Sequence, residues 1–564
     1  MHAVVSLALV AVCAAPLVGA SAAPRGGAAS IKPNVESAAA NAAHVFNAVH
    51  SAGRQWGAAL NHNGFGFFPA VVPRGTLLYH GAASPDPPRG PEWLAFEMEH
   101  AELFAQSWRQ DDEGDGEEEG NGIASSRTSW SPRTHIHAAT ASQQRPLARG
   151  IINRRGYFHT YRARRDLKLL YIDGMAAAKS SFGPLDSQDL VLRENKTGPL
   201  DDNMWDEVGR ARDVCRFVTE VGMDGFVRVE IGFEVVYCDD FATGLDPVSV
   251  TRSFMPPKEE EDGAATTQNM LMYHMARAAS REYDGLGSRL RLDFSSMVSG
   301  FFFFSPIKNV SSKADAAASP DLIRLGAAAS MDELLDMKHH LRDVCLRPRR
   351  FTVDWQSAVV DGLVDRFADR LASMASGKLS AEYFIGELER ATLVYSDAPA
   401  LPGDRAAARN RTAEAVDRCT EHHLLPALAY QDEWHLQDKL IYTAVEAVAR
   451  DICQTLFEAL SALRRARVTD GPRIGEEAID RSREALRHLM DRLAWTEWKK
   501  PRPCPVDQVS FVAMYPFGDA EDHWHPGCRS IEDLLGFGRH GYWDRDFLSP
   551  KDDDDDDSVD GELR

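Results

Sequence analysis

The chain has 564 residues, 44% of them hydrophobic and 26% charged, with a formal net charge of −21. That length exceeds one ordinary domain, so two or three cores are expected, and the hydrophobic share is that of globular protein. Most of the negative excess sits in three short runs: seven acids in 111–119, four in 259–262, and eight acids against two bases in 551–564. Such runs are solvated segments rather than a binding face, and without a basic patch a nucleic-acid partner is excluded.

Residues 1–20 read as an export signal. Positions 3–18 are nearly all apolar, the run is short and holds Pro16, and small residues follow around Ala20 and Ala23. Its first residues lack Lys and Arg, a departure from the usual pattern. No other stretch approaches the ~20 apolar residues of a membrane helix. The chain is therefore expected to be secreted and extracellular, without a membrane span.

Residues 21–55 form an alanine-rich segment with a short helix over 38–49. An α+β domain, a mixed or antiparallel sheet with helices, is expected over 56–255. It begins with an apolar strand at 76–79 ending in His80-Gly81, a proline-rich loop at 85–91, and a short strand and helix from Trp93. The acidic insert 111–146 has no hydrophobic period and reads as a disordered loop. Residues 167–172 read as a buried strand closed by a turn at Asp173-Gly174, and 190–192 as a further short strand. A helix spans 205–221, ended by Gly222, and 226–238 reads as one long strand with a bulge at Gly232. A linker is expected at 256–267. Beyond it, over 268–500, the period changes to 3.6: Val359, Leu363, Phe367 and Leu371 share one helical face, as do Leu440, Ala444, Val448 and Ile452. This part reads as a mainly α-helical domain, in which Gly300 and the four phenylalanines after it form a buried strand or packing plug. Residues 501–548 form a disulfide-closed segment and 549–564 an acidic disordered tail.

Without Cys13 of the signal, seven cysteines allow up to three disulfides and one thiol. Cys504 and Cys528 bracket a proline-rich, aromatic segment with little else to hold it. Cys215 and Cys238 join a helix to the end of the following strand. Asn195, Asn309 and Asn410 each begin an Asn-x-Ser/Thr sequon, so a secreted chain is expected to carry sugar there.

The Leu78-Tyr79-His80-Gly81 strand end, followed by a short strand and an acidic helix, resembles the start of the ADP-ribosyltransferase fold, over about residues 73–192. The resemblance implies that NAD is a substrate, with His80 orienting the nicotinamide ribose and Gly81 contacting the carboxamide. Trp93 and Phe96 would supply the apolar wall. That family needs a carboxylate to stabilise the oxocarbenium-like cation formed as nicotinamide leaves. Here the matching stretch offers Gln188 and Asp189, with Glu230 and Glu234 on the next strand as substitutes, so the implied catalytic set is His80, Asp189, Glu230 and Glu234. The competing reading is a non-catalytic secreted protein acting at a cell wall or host surface, with His80 a hydrogen-bonded structural residue.

Other motifs are incomplete. The stretch from Gly174 to Lys179-Ser180 follows a strand but lacks the second glycine of a phosphate loop. His523, His525 and Cys528 lie among acids, but a Cys504–Cys528 disulfide accounts for Cys528, and no metal site is assigned. Over its whole length the chain resembles large uncharacterised secreted proteins of filamentous fungi, in the stretches beginning at Trp93, Leu169 and Met514. That likeness implies secretion and a shared fold, and no activity.

Overall fold

A computed structural model describes residues 30–110, 151–196, 204, 206–253, 261–280, 285–305, 323–349, 351–397, 405–470, 476–501, 503–535 and 541–543. The expected signal (1–20), acidic insert (111–146), Asn309 and acidic tail (549–564) lie outside the described residues.

Three helices open the fold: α1 (Val35–Ala40), α2 (Ala42–Ser51) and α3 (Gln55–Leu60). Asn34 caps α1 by accepting from the Ser37 N–H. The next elements are β1 (Asn63–Val72), β2 (Leu77–Ala82), β3 (Glu92–Ala95), α4 (Met98–Glu102), β4 (Gln106–Gln110), β5 (Ile151–Arg155), β6 (Tyr157–Ala163) and β7 (Leu167–Gly174). Then come α5 (Glu207–Glu220), β8 (Gly225–Glu230), β9 (Gly232–Tyr237), β10 (Leu245–Arg252), α6 (Glu261–Ala279), β11 (Arg291–Leu292) and β12 (Val298–Ser299).

These strands build one mixed sheet in the order β10-β6-β2-β3-β9-β8-β7-β1-β11, with β12 also on β1 and β4-β5 as a separate ribbon. β7 and β8 run parallel and their neighbours antiparallel. The middle strands β8 and β9 are buried at every position, because helices cover them. Their apolar residues fill one side of the core, while Arg228, Glu230 and Glu234 are buried as well. The edge strand β10 is exposed over most of its length.

The rest of the chain is mainly helical: α7 (Leu325–Ala328), α8 (Met331–Cys345), α9 (Asp361–Ala375), α10 (Ala381–Thr392), α11 (Arg405–His422), α12 (Leu425–Leu428), α13 (Leu436–Asp470) and α14 (Glu476–Leu493). A short ribbon of β13 (Val509–Phe511) and β14 (Gly527–Arg529) then encloses α15 (Ala520–Trp524), before α16 (Ile531–Leu535). α13 is the axis of this part, touching α1, α2, α10, α11 and α14. One hydrophobic core runs from Ala38 through the sheet to Trp543. The expected combination of a sheet-containing N-terminal part and a helical C-terminal part is therefore present. The N-terminal helices nevertheless pack on α13, and β11 and β12 return to the sheet from beyond residue 268.

The structure corrects several local expectations. Residues 226–238 are two strands in a tight hairpin: Glu230 pairs with Gly232 across a one-residue tip, and Gly232 (φ 99°) makes the turn instead of a bulge. Residues 190–192 belong to a wide π-helical turn, Ser187–Leu192, and not to a strand. The linker expected at 256–267 is helical from Glu261 onward. Of the two readings of the aromatic run after Ser299, the buried plug is the one present, a 3₁₀ turn at Gly300–Phe302 in which the Asn41 side chain donates to the Phe301 carbonyl at 3.0 Å. His80 does not end its strand; it lies inside β2.

Three disulfides are formed, Cys215–Cys238, Cys419–Cys453 and Cys504–Cys528, and Cys345 is a buried thiol. The two pairings read from the sequence are both present. Asn195 is exposed, and Asn410 falls within α11.

Candidate functional site

The β8–β9 hairpin gathers most of the buried charge of the sheet. Arg228 and Glu230 are two residues apart and share a face of β8, and Glu234 stands opposite Arg228 on β9. Gln55 of α3 clamps the hairpin tip. Its side-chain N–H donates to the Glu230 carbonyl, and its oxygen accepts from the Gly232 N–H at 3.1 Å. The C-terminal segment covers the same tip, with the Ile231 N–H donating to the Tyr515 carbonyl at 3.1 Å.

Arg228 is fully buried and pairs with both Glu234 and Glu207, the latter in the first turn of α5. Arg210 of α5 joins Glu207 to Asp189, meeting the Asp189 carboxylate at 2.9 and 3.0 Å. Arg193 holds Asp189 from the other side at 2.9 Å. Lys179 lies 3.3 Å from Glu230 and 3.7 Å from Glu207. His100 of α4 completes the group, its Nε2 3.4 Å from Glu230 Oε1.

The carboxyls in this network respond differently. Burial opposes ionisation of Glu230, but Lys179, His100 and Arg228 overcome it and hold the group down at about 2. At Glu207 burial is likewise outweighed, by Arg228, Lys179 and Arg210, so its carboxyl is held low. Glu234 goes the other way: burial raises it and Glu230 adds to the rise against the pull of Arg228. Two adjacent carboxylates driven apart in this way are a common feature of acid–base and metal sites.

The three carboxylates singled out from the sequence, Asp189, Glu230 and Glu234, thus enter one network. His80 does not join them. Tyr79, Ala95, Glu234 and Arg228 form one row across β2, β3, β9 and β8, so His80, one residue on, faces the opposite side of the sheet. There it is 7% exposed, donates from Nδ1 to the Trp93 carbonyl at 2.7 Å, and packs against the rings of His159 and Phe241. Gly81 is where α4 comes close: a Cβ there would lie 2.1 Å from the Ala101 carbonyl oxygen. Phe96 is a core residue and Trp93 is half-buried against the core. The pair does not wall a cleft shared with His80 and the carboxylates.

Lys179, Glu207, Arg228 and His100 were not singled out as members of a site. The signal for Lys179 was present in the incomplete phosphate loop after β7. His100 follows two acids, Glu97 and Glu99, a pattern that marks a helix start and nothing more. Of the histidines near Cys528, His523 is buried and stacks on Tyr542 at 4.4 Å, while Cys528 is in its disulfide.

Among the described residues, no helix is long and apolar enough to cross a membrane. Residues 35–259, which contain the whole network, match a family model described as the YPL277C N-terminal domain. The chain is 32% identical over 228 residues to "Uncharacterized protein YOR389W" of Saccharomyces cerevisiae, a match covering 38% of this chain and 34% of that protein. It is 33% identical over 228 residues to "Uncharacterized protein YPL277C" of the same yeast, covering 38% of this chain and 44% of that one. No solved structure matches. The chain therefore spans less than half the length of these curated relatives, and the family-model match falls on the part that carries β1 to β10 and the charge network.

Proposed function

We propose that the protein is an exported, disulfide-braced binding protein acting at a cell-wall or host surface, rather than a NAD-consuming transferase centred on His80. The observation that carries this reading is the placement of His80. A transferase of that kind needs histidine, aromatic wall and carboxylate in one cleft, and here the histidine and the carboxylates occupy opposite faces of the sheet. Three disulfides and the lack of a membrane-crossing helix among the described residues are compatible with export. A groove of about 580 Å³ between α11 and α13 combines apolar Val416 and Phe457 with polar Asp417, Gln454, Ser461 and Arg465, the mix of an aromatic face and hydrogen-bonding groups that a carbohydrate-class ligand would use.

Calorimetry with NAD, together with melting of the wild type and His80→Ala, tests the choice. The binding reading expects no heat from the wild type. It also expects His80→Ala to lose about 1–3 kcal/mol of stability, because the Trp93 carbonyl would be left without its buried donor. A wild-type heat of binding that disappears in a fully stable His80→Ala variant would restore the enzyme reading. Co-sedimentation with insoluble cell-wall polysaccharide, lowered by Gln454→Ala with Ser461→Ala, is the positive arm; no retention counts against a cell-wall role.

A further inference from the structure

We propose that His100, Glu230 and Glu234 form a binding site for one divalent transition-metal ion of the zinc class. The ligand atoms of the three residues all lie within 4.8 Å of one another, and each side chain is buried. His100 Nε2 is 3.4 Å from Glu230 Oε1. That is longer than the usual 2.7–3.2 Å of a nitrogen–oxygen hydrogen bond. It equals the roughly 3.4 Å between two ligands that each stand about 2.1 Å from a tetrahedral ion. The widest separation, within 4.8 Å, has to close by up to about 1.4 Å to fit the same tetrahedral ion, within the reach of a glutamate rotamer adjustment.

The donors are held in place before any ion arrives. Gln55 clamps both sides of the hairpin tip. Gly232 admits the imidazole, since a Cβ there would lie 2.8 Å from His100 Nδ1. That buried Nδ1 has no hydrogen-bond partner among the described residues. The ring therefore owes its position to packing and to what its Nε2 meets.

Four carboxylates, Asp189, Glu207, Glu230 and Glu234, meet four cations, Lys179, Arg193, Arg210 and Arg228, so an ion entering beside Glu230 and Glu234 must take the place of one of these cations. Lys179 is the cation able to give way: it bridges Glu230 and Glu207, so it can settle on Glu207 as the metal takes Glu230. One imidazole and two carboxylates suit zinc, manganese or ferrous iron; with no thiolate the set does not favour cuprous ion, and the imidazole disfavours calcium and magnesium. Glu230 and Lys179 each keep 12% of their side chain exposed, which leaves a way in.

The test uses the untagged full chain, stripped with a chelator and titrated with Zn²⁺, then with Co²⁺ as a spectroscopic probe. One equivalent should bind and raise the melting temperature. Folded His100→Asn, Glu230→Gln and Glu234→Gln should each bind at least tenfold more weakly and lose the Co²⁺ d–d bands. No binding by the wild type, or equal binding by the folded variants, would overturn the site. None of these outcomes depends on whether NAD binds or on the role of His80.

Discussion

Asp173 and Glu230 stand near the ends of the two parallel strands, and burial treats them differently because of what lies beside each. Glu230 has Lys179 at 3.3 Å. Asp173 has the backbone N–H of Gly174 as its favourable neighbour, and burial pushes its carboxyl up to about 7. The sign follows. Below about pH 4 both folded and unfolded chains hold this proton. As the pH rises toward 7 the unfolded chain gives it up while the folded chain keeps it, so stability falls across that window. Asp173→Asn keeps the acceptor and removes the ionisation. It should raise the melting temperature at pH 8, by up to about 4 kcal/mol of stability, and change little at pH 4. Equal effects at both pH values would show that packing, and not charge, governs this position. Glu230 contributes in the opposite direction: its group is held down at about 2, so its share of stability is present above the unfolded value and lost as the pH falls toward 2.

The hairpin of β8 and β9 is the element that assembles the network, and its one-residue tip depends on Gly232. Its φ of 99° lies in the region that side-chain-bearing residues avoid, and an added methyl would press on His100. Gly232→Ala should therefore cost about 1–3 kcal/mol, read as a lower urea midpoint. Because the methyl displaces His100, the same change should also weaken Zn²⁺ binding more than its loss of stability accounts for. Alanine at Gly222, which also has positive φ but meets nothing within 4 Å, supplies the comparison: strain alone, without loss of the metal.

For the whole molecule, three disulfides tie local pieces together. One fastens α5 to the end of β9, one joins α11 to α13, and one closes the segment that lays Tyr515 over the hairpin tip. Intact mass should rise on reduction by the six hydrogens of three disulfides. Cys345, whose thiol is pushed up to about 12 by burial, should react with a thiol reagent only after denaturation. A native chain with several reactive thiols would contradict both statements and the exported setting with them.

Local chemistry made part of this legible in the sequence. Helical periods in 359–371 and 440–452 marked α9 and α13, because a 3.6-residue repeat is a property of the segment itself. Cys215 with Cys238 and Cys504 with Cys528 were readable because each pair brackets one short unit. Asp189, Glu230 and Glu234 were noticed as acids beside apolar strands, and they do share a site. What the sequence could not give was the face on which each side chain stands. Whether 226–238 is one strand or two depends on the positive φ of a single glycine, and Leu190 on a π-helical turn. His80 was misplaced because sheet order and pleat, not the residues around it, put β3 between β2 and β9 and turned the histidine away. The site's cations come from separate elements, Lys179 after β7, Arg210 in α5 and Arg228 in β8. Only tertiary packing brings them to the same carboxylates, because a charge is stable in a core only where its partner is delivered to it.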